Sequence, residues 1–180
     1  MFQLIRPYEV SHVIHLTSQM NNIVIVGFSG AGKSTVGKKL ANKLNMTFVD
    51  LDLYIEEKYH TAIPLLFQRY GESAFRTLEY VALQEALSIE NAVIAVGGGT
   101  PCHGDAMTLI NANAKSIYLQ LNENEIVEHL LHSKKKRPLT SHLNEEELRA
   151  YVHNTLSQRE PYYLQAQIVC PLEKMGNLTL

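Results

Sequence analysis

The sequence predicts an α/β fold of three layers, in which helices cover both faces of a five-stranded parallel sheet. Short β-branched runs alternate along the chain with longer stretches of helical spacing. Strands separated by helices imply right-handed crossover connections, which make neighbouring strands parallel. The composition agrees, because 46% of the 180 residues are hydrophobic and 19% are charged, as in ordinary globular domains.

Five segments have the length and apolar content of buried strands. They are NIVIVG (22–27), MTFVDLD (46–52), NAVIAVGGG (91–99), KSIYLQL (115–121) and AQIVC (166–170). Helices are predicted where apolar residues recur at three- and four-residue spacing, over 32–45, 53–71, 73–90, 144–159 and after the fourth strand. Gly71 is expected to separate the second helix from the third.

Glycines and carboxylates lie where three of these strands end. A glycine-rich loop follows the first strand, Asp50 and Asp52 end the second, and the triplet 97–99 ends the third. Ligands of parallel sheets bind beyond the carboxyl ends of the strands. Because the two aspartates are two positions apart, we expect them to share one face of the strand. The sequence therefore predicts a single site at this edge of the sheet.

Charge and hydropathy argue against several function classes. The formal net charge of −2 gives no pull toward nucleic acid or anionic membrane, and no apolar run approaches the about 20 residues that span a bilayer. Cys102 and Cys170 form no CxxC pair, which is typical of a reducing compartment. We expect a cytoplasmic monomer with an N-terminal extension over 1–20, without a signal-peptide pattern, and a single domain over 21–180.

The segment GFSGAGKS (27–34) matches the phosphate-loop pattern G-x-x-x-x-G-K-[ST] and lies between a predicted strand and a predicted helix. Its glycines allow backbone N–H groups to turn inward around an anion at the positive end of the helix dipole. The alternative is a glycine-rich turn without a ligand. We expect the loop to bind the phosphates of ATP through Gly30, Ala31, Gly32, Lys33, Ser34 and Thr35, with the Ser34 hydroxyl ligating Mg²⁺.

Six segments in this order and spacing resemble the shikimate kinases. They are the phosphate loop, FVDLD followed by IEE, GESAFRTLE, VGGG, KRPL and QREPYY. The resemblance covers residues 22 to about 170. It implies a fold similar to the nucleoside monophosphate kinases and an ATP- and Mg²⁺-dependent transfer of the γ-phosphoryl group to the 3-hydroxyl of shikimate. That reaction is a step of aromatic amino acid biosynthesis.

The resemblance also implies roles for individual residues. Asp50 is expected near Mg²⁺. Asp52 is expected to orient and deprotonate the attacking hydroxyl, while Lys33 and Arg137 stabilise the charge on the transferring group. The substrate is expected to be held by two carboxylate-binding arginines, a glycine backbone N–H at Gly98, and supporting residues. This set consists of Arg76, Arg159, Glu72, Phe75, Glu79, Gly97, Gly98 and Gly99. Structural alternatives remain, namely a surface salt bridge for Arg76 and a helix-end cation for Arg159.

A lid over about 129–145 is implied by the same resemblance, with Arg137 as its charged residue. Family members carry an adenine-stacking arginine seven or eight residues before the lid arginine, whereas this chain has His129 and Leu130 there. His129 and the lysines at 134–136 are the alternatives for that contact, although the lysines also fit a solvated basic patch.

Two other functions stay open. One is a related small-molecule kinase acting on gluconate, adenylylsulfate or a nucleotide. The other is a non-catalytic nucleotide-binding module. The paired arginines with Asp52 favour a hydroxylated carboxylate, and the complete set of phosphate-site residues favours catalysis.

Overall fold

A computed structural model describes residues 22–132 and 143–171 of the chain. Its centre is a sheet of five strands in the order β2-β3-β1-β4-β5, and every neighbouring pair is parallel. The strands are β1 (Ile23–Val26), β2 (Thr47–Asp50), β3 (Ala92–Ala95), β4 (Lys115–Gln120) and β5 (Ile168–Pro171). The predicted fold class is confirmed, and each of the five predicted segments contains one of these strands.

Six α-helices occur in the described ranges. They are α1 (Lys33–Leu44), α2 (Leu51–Tyr59), α3 (Ile63–Leu87), α4 (Ala106–Asn113), α5 (Glu123–Leu131) and α6 (Glu145–Tyr163), and a short 3₁₀ segment spans Thr100–Cys102. Every residue of β1 and β3 is buried, as expected of central parallel strands covered on both faces. None of the helices in these ranges has the length and apolar content that a bilayer crossing requires.

The prediction of one helix over 53–71 is wrong. The chain leaves the helical conformation after Tyr59, because His60 takes a left-handed conformation with φ of 47° and ends α2. A proline in the first turn of α3 then starts a separate helix, since its missing N–H is tolerated there. Gly71 does break the helical conformation as predicted, with φ of 77° and ψ of 172°, but α3 resumes at once.

The prediction that Asp50 and Asp52 share one strand face is also wrong. Strand β2 ends at Asp50, whose side chain caps α2 by accepting from the Leu53 N–H at 3.4 Å. Asp52 lies in the first turn of that helix. An aspartate is a strong N-cap, so the helix begins where periodicity alone still allowed a strand. The two carboxylates nevertheless stay at the same edge of the sheet.

Another helix boundary differs from the prediction, and one helix was not predicted. Helix α6 continues beyond residue 159 to Tyr163, although Pro161 lies inside it. A proline near a helix end removes only one backbone bond, so the last turn persists. Helix α4 between β3 and β4 was not predicted, because its asparagines and short length gave a weak helical pattern.

Candidate active site

The phosphate loop folds around its own lysine. Lys33 is 8% exposed, and its Nζ donates to the carbonyl oxygens of Gly27 and Phe28 at 2.8 Å each. Gly30 and Gly32 have positive φ angles of 97° and 86°, a backbone conformation that residues other than glycine rarely adopt. These angles turn the loop backward onto the first turn of α1.

The start of α1 has no side-chain cap. Its N-cap is Gly32, so no side chain caps the helix, and its first turn contains no acidic residue. The first N–H groups of a helix have no partner within that helix and carry the positive end of its dipole. An anion such as a phosphate group is therefore the complementary ligand for this turn.

Ser34 and Asp50 meet beside the phosphate loop. The Ser34 hydroxyl donates to Asp50 Oδ2 at 2.6 Å, which links α1 to the end of β2. A hydroxyl and a carboxylate oxygen are both hard oxygen donors, of the kind that Mg²⁺ prefers. The pair fits the metal site that the sequence predicted for these two residues.

The glycine triplet 97–99 brings three groups of the site together, because each glycine lies against a different one. A Cβ atom built on Gly97 would lie 2.9 Å from Asp52 Oδ1. One on Gly98 would lie 2.8 Å from the backbone nitrogen of Ser29. One on Gly99 would lie 2.8 Å from a terminal nitrogen of Arg76. The absence of side chains lets the aspartate, the phosphate loop and the arginine converge on one short segment.

Arg76 is held between two carboxylates and two aromatic rings. Its guanidinium donates to Glu79 at 2.7 Å and to Glu72 at 3.1 Å. It also lies 5.5 Å from the ring centre of Phe75 and 5.7 Å from that of Phe67, within cation–π distance. Burial opposes the charge, but the two carboxylates outweigh it and raise the pKa of Arg76 above its usual value.

One nitrogen of the Arg76 guanidinium has no partner among the described residues. This Nε is buried and makes no hydrogen bond within residues 22–132 and 143–171. Buried polar atoms are rarely left unpaired in native structures, so each such atom needs an explanation. A planar guanidinium with a donor to spare suits a carboxylate ligand, which forms two parallel bonds with this group.

Glu79 fixes the position of Arg76. It is 4% exposed, and besides the arginine it accepts a hydrogen bond from the Thr100 hydroxyl at 2.6 Å. A buried carboxylate needs such partners, because an unpaired buried charge is costly. The contact between Arg76 and Glu79 that the sequence spacing predicted is therefore present and partly buried.

Arg159 approaches the same pocket from α6. Its charge, together with that of Arg76, acts on the side chains of Cys102 and His103, which follow the glycine triplet. Burial and the neighbouring Arg76 lower the pKa of His103, whereas burial raises the pKa of the Cys102 thiol. Both side chains are therefore neutral at pH 7, and the positive charge of this region belongs to the two arginines.

Comparison with known proteins identifies the family. Over residues 29–177 the chain matches the family model described as shikimate kinase. The shikimate kinase of Parabacteroides distasonis is 41% identical over 156 residues, which cover 87% of this chain and 90% of the relative. The one from Azobacteroides pseudotrichonymphae is 42% identical over 157 residues, covering 87% and 92%. The chain belongs to the shikimate kinase family.

Solved structures agree with this assignment. The shikimate kinase from Bacteroides thetaiotaomicron has a TM-score of 0.83 and 36% identity, covering 87% of this chain and 95% of that chain. A shikimate kinase from Acinetobacter baumannii in complex with shikimate has a TM-score of 0.77 and 32% identity, covering 87% and 86%. A gluconokinase from Sinorhizobium meliloti, with a TM-score of 0.55 and 15% identity, shares the fold alone.

In this shikimate kinase family member, most of the predicted site residues lie around the carboxyl end of the sheet. They are the loop residues Gly30 to Thr35, Asp50, Asp52, Glu72, Phe75, Arg76, Glu79, Gly97, Gly98, Gly99 and Arg159. Arg137 and the lysines at 134–136 lie outside the described residues, so their predicted roles stay predictions.

His129 and Leu130 take different positions in this shikimate kinase fold. His129 Nδ1 lies 3.2 Å from the Gly30 carbonyl oxygen, and it donates there when that nitrogen carries the proton. Leu130 packs against the hydrophobic core instead. Of the two residues at the place of the family's adenine arginine, His129 therefore has a polar contact with the phosphate loop.

Sequence reasoning missed two residues that support the shikimate kinase site. Thr100 directly follows the glycine triplet and bonds to Glu79. Tyr163 donates its hydroxyl to the Gly98 carbonyl oxygen at 2.5 Å. A signal existed for the tyrosine, because it follows Arg159 by four positions on one helix and therefore shares its face.

Proposed function

We propose that this chain is an active shikimate kinase, which transfers the γ-phosphoryl group of ATP to the 3-hydroxyl of shikimate. The product is shikimate 3-phosphate, and the step belongs to aromatic amino acid biosynthesis. The observation that carries the proposal is the convergence of three groups on the glycine triplet 97–99. The Asp52 carboxylate, the phosphate-loop backbone at Ser29 and the partly buried Arg76 guanidinium each lie within about 3 Å of a Cβ built on one of these three consecutive glycines.

The acceptor end of the proposed site suits a small hydroxylated carboxylate. In the part of the chain that the structure describes, the Nε of Arg76 is a buried donor without a partner, and Arg159 adds a second positive charge to the same region. Shikimate carries one carboxylate, which the two guanidinium groups would bind. The Gly98 N–H, with Gly97, Gly99, Phe75 and Glu79 around it, would complete the contacts to the ring.

Asp52 is the proposed catalytic base. Its Oδ1 lies beside Gly97, the glycine next to the one that packs on the phosphate loop, so an acceptor hydroxyl bound there would lie close to the γ-phosphate. A carboxylate at this point accepts a hydrogen bond from the hydroxyl, directs its lone pair toward phosphorus and takes the proton during transfer. Positioning and charge stabilisation supply most of the catalysis in phosphoryl transfer, so no covalent intermediate with the protein is needed.

The phosphate end of the proposed site binds ATP through residues 30–35. Their backbone N–H groups would bind the β- and γ-phosphates, and Lys33 would neutralise the charge that moves onto the leaving oxygen. Ser34 and Asp50 would hold Mg²⁺, with the 2.6 Å contact between them as support. The metal, when bound, offsets negative charge on the phosphates.

The remaining parts of the proposal extend beyond the described site. We place a lid over about 129–145, with Arg137 adding positive charge to the transferring group, and a single domain over 21–180 after an extension of 1–20. We further propose a cytoplasmic monomer. The low cysteine count, two in 180 residues, is typical of a reducing compartment. Light scattering after size exclusion tests the monomer directly.

A coupled assay with ATP, Mg²⁺ and a panel of acceptors tests the function. The acceptors to test are shikimate, gluconate, adenylylsulfate and nucleoside monophosphates. An Asp52→Asn variant should be assayed in parallel. We expect turnover of shikimate alone, with the variant nearly inactive. Turnover of gluconate but not of shikimate would show that the substrate assignment is wrong. Tight ATP binding with no acceptor turned over would instead favour a non-catalytic nucleotide-binding module.

A further inference from the structure

The three carbonyl groups of the glycine triplet are held in different ways. Those of Gly97 and Gly99 accept backbone N–H groups of the 3₁₀ segment that follows, at 3.2 and 3.0 Å. The Gly98 carbonyl accepts instead from the hydroxyl of Tyr163, 65 positions away in the chain, at 2.5 Å. Local turn geometry therefore fixes two of the peptides, whereas the third is held by a tertiary contact.

That third peptide connects the two halves of the site. Gly98 packs against the backbone nitrogen of Ser29 in the phosphate loop, and Gly99 packs against the guanidinium of Arg76. The peptide between these glycines sets how the two packing contacts are oriented relative to each other. Rotation of this peptide would move the triplet away from the arginine, from the loop, or from both.

Tyr163 is held rigidly enough to fix the peptide. It is fully buried, and its ring packs on Tyr118 with centroids 5.2 Å apart. It shares a face of α6 with Arg159, four residues earlier, so one helix carries both the arginine and the tyrosine. Burial raises the pKa of Tyr163, and the hydroxyl therefore stays a proton donor throughout the working pH range.

We propose that Tyr163 is a positioning residue for the acceptor, acting through the Gly98–Gly99 peptide without touching the substrate. The inference rests on the proposed function, because it concerns how that acceptor pocket is kept in shape. Loss of the hydroxyl leaves the peptide carbonyl without this partner and lets the triplet relax, and it also removes the hydroxyl's contact with Arg159 in the same acceptor pocket. Acceptor binding then weakens more than ATP binding does, because the phosphate loop keeps its own internal hydrogen bonds.

Tyr163→Phe removes only the hydroxyl, and Tyr118→Phe is the matched control. Both tyrosines are buried and pack on each other, but the Tyr118 hydroxyl bonds to Glu160 at 3.2 Å instead of to the glycine triplet. Steady-state constants for shikimate and ATP, together with thermal melting, should be measured on both variants and on the unmodified chain. Turnover of shikimate by the unmodified chain tests the proposed function separately.

For Tyr163→Phe we expect the shikimate KM to rise about five- to tenfold, which is the effect of losing one hydrogen bond. The ATP KM should stay within about twofold of its value in the unmodified chain. Tyr118→Phe should leave both constants unchanged, even if both variants melt at lower temperature. An unchanged shikimate KM in Tyr163→Phe, or an equal rise in Tyr118→Phe, overturns the proposal. A Tyr163→Phe chain that fails to fold while Tyr118→Phe folds also overturns it, because the hydroxyl then serves folding.

Discussion

Replacing Gly98 by alanine should impair the enzyme toward both of its substrates, shikimate and ATP. The added Cβ would lie 2.8 Å from the backbone nitrogen of Ser29 and 3.3 Å from its Cα. Ordinary contacts begin near 3.4 Å, so the triplet and the phosphate loop must move apart by about 0.6 Å. Backbone cannot rotate out of the way as the end of a side chain can, so both halves of the site share the displacement.

The magnitude follows from the cost of overpacking. Inserting a methyl group into a tightly packed contact costs about 1–3 kcal/mol, or about 5- to 150-fold in an equilibrium or rate ratio. We expect kcat/KM for shikimate to fall within that range and the ATP KM to rise several-fold. Gly98 lacks a positive φ, so backbone strain adds nothing to the effect.

Gly99→Ala is the matched control for this prediction. Its Cβ would lie 2.8 Å from a terminal nitrogen of Arg76, on the acceptor side only. Steady-state kinetics with each substrate varied in turn should therefore show a raised shikimate KM and an unchanged ATP KM. The reasoning is refuted if Gly98→Ala leaves the ATP KM unchanged, or if Gly99→Ala alters it as strongly.

Three other substitutions separate the roles of the site residues. Asp52→Asn should lower kcat by about 10²–10⁴-fold with nucleotide affinity nearly unchanged, and normal turnover would remove Asp52 from the mechanism. Arg159→Ala should raise the shikimate KM by about 10- to 100-fold; a change confined to the ATP KM would contradict its role as a carboxylate ligand. Lys33→Ala should weaken ATP binding and lower the melting temperature, because Lys33 also bonds two loop carbonyls; calorimetric titration with ATP checks the first effect.

Much of this architecture could be predicted from local sequence. Buried parallel strands read as continuous apolar runs, and the glycine loop between a strand and a helix has a recognisable pattern. Helix boundaries were less predictable. The start of α2 depends on Asp50 acting as a cap, and its end depends on His60 adopting a left-handed conformation. At both positions the spacing of apolar residues continues without a break, so it does not mark the helix boundary.

The supporting contacts of the site could not be predicted in the same way. Thr100 bonds to a carboxylate 21 positions away, and Tyr163 bonds to a carbonyl 65 positions away. Such pairs depend on how the segment after β3 meets α3 and α6 in the folded chain, which spacing along the sequence does not encode. Arg76 and Glu79 were predictable as a pair because they lie three positions apart on one helix.

Direct observation of the product tests the central claim most simply. The unmodified chain should be incubated with ATP, Mg²⁺ and shikimate and followed by phosphorus and proton NMR. We expect one new phosphomonoester resonance, coupled to the proton on carbon 3 of the shikimate ring, growing as ADP appears. Phosphate on another hydroxyl, or ADP release without a phosphorylated shikimate, would contradict the proposed function.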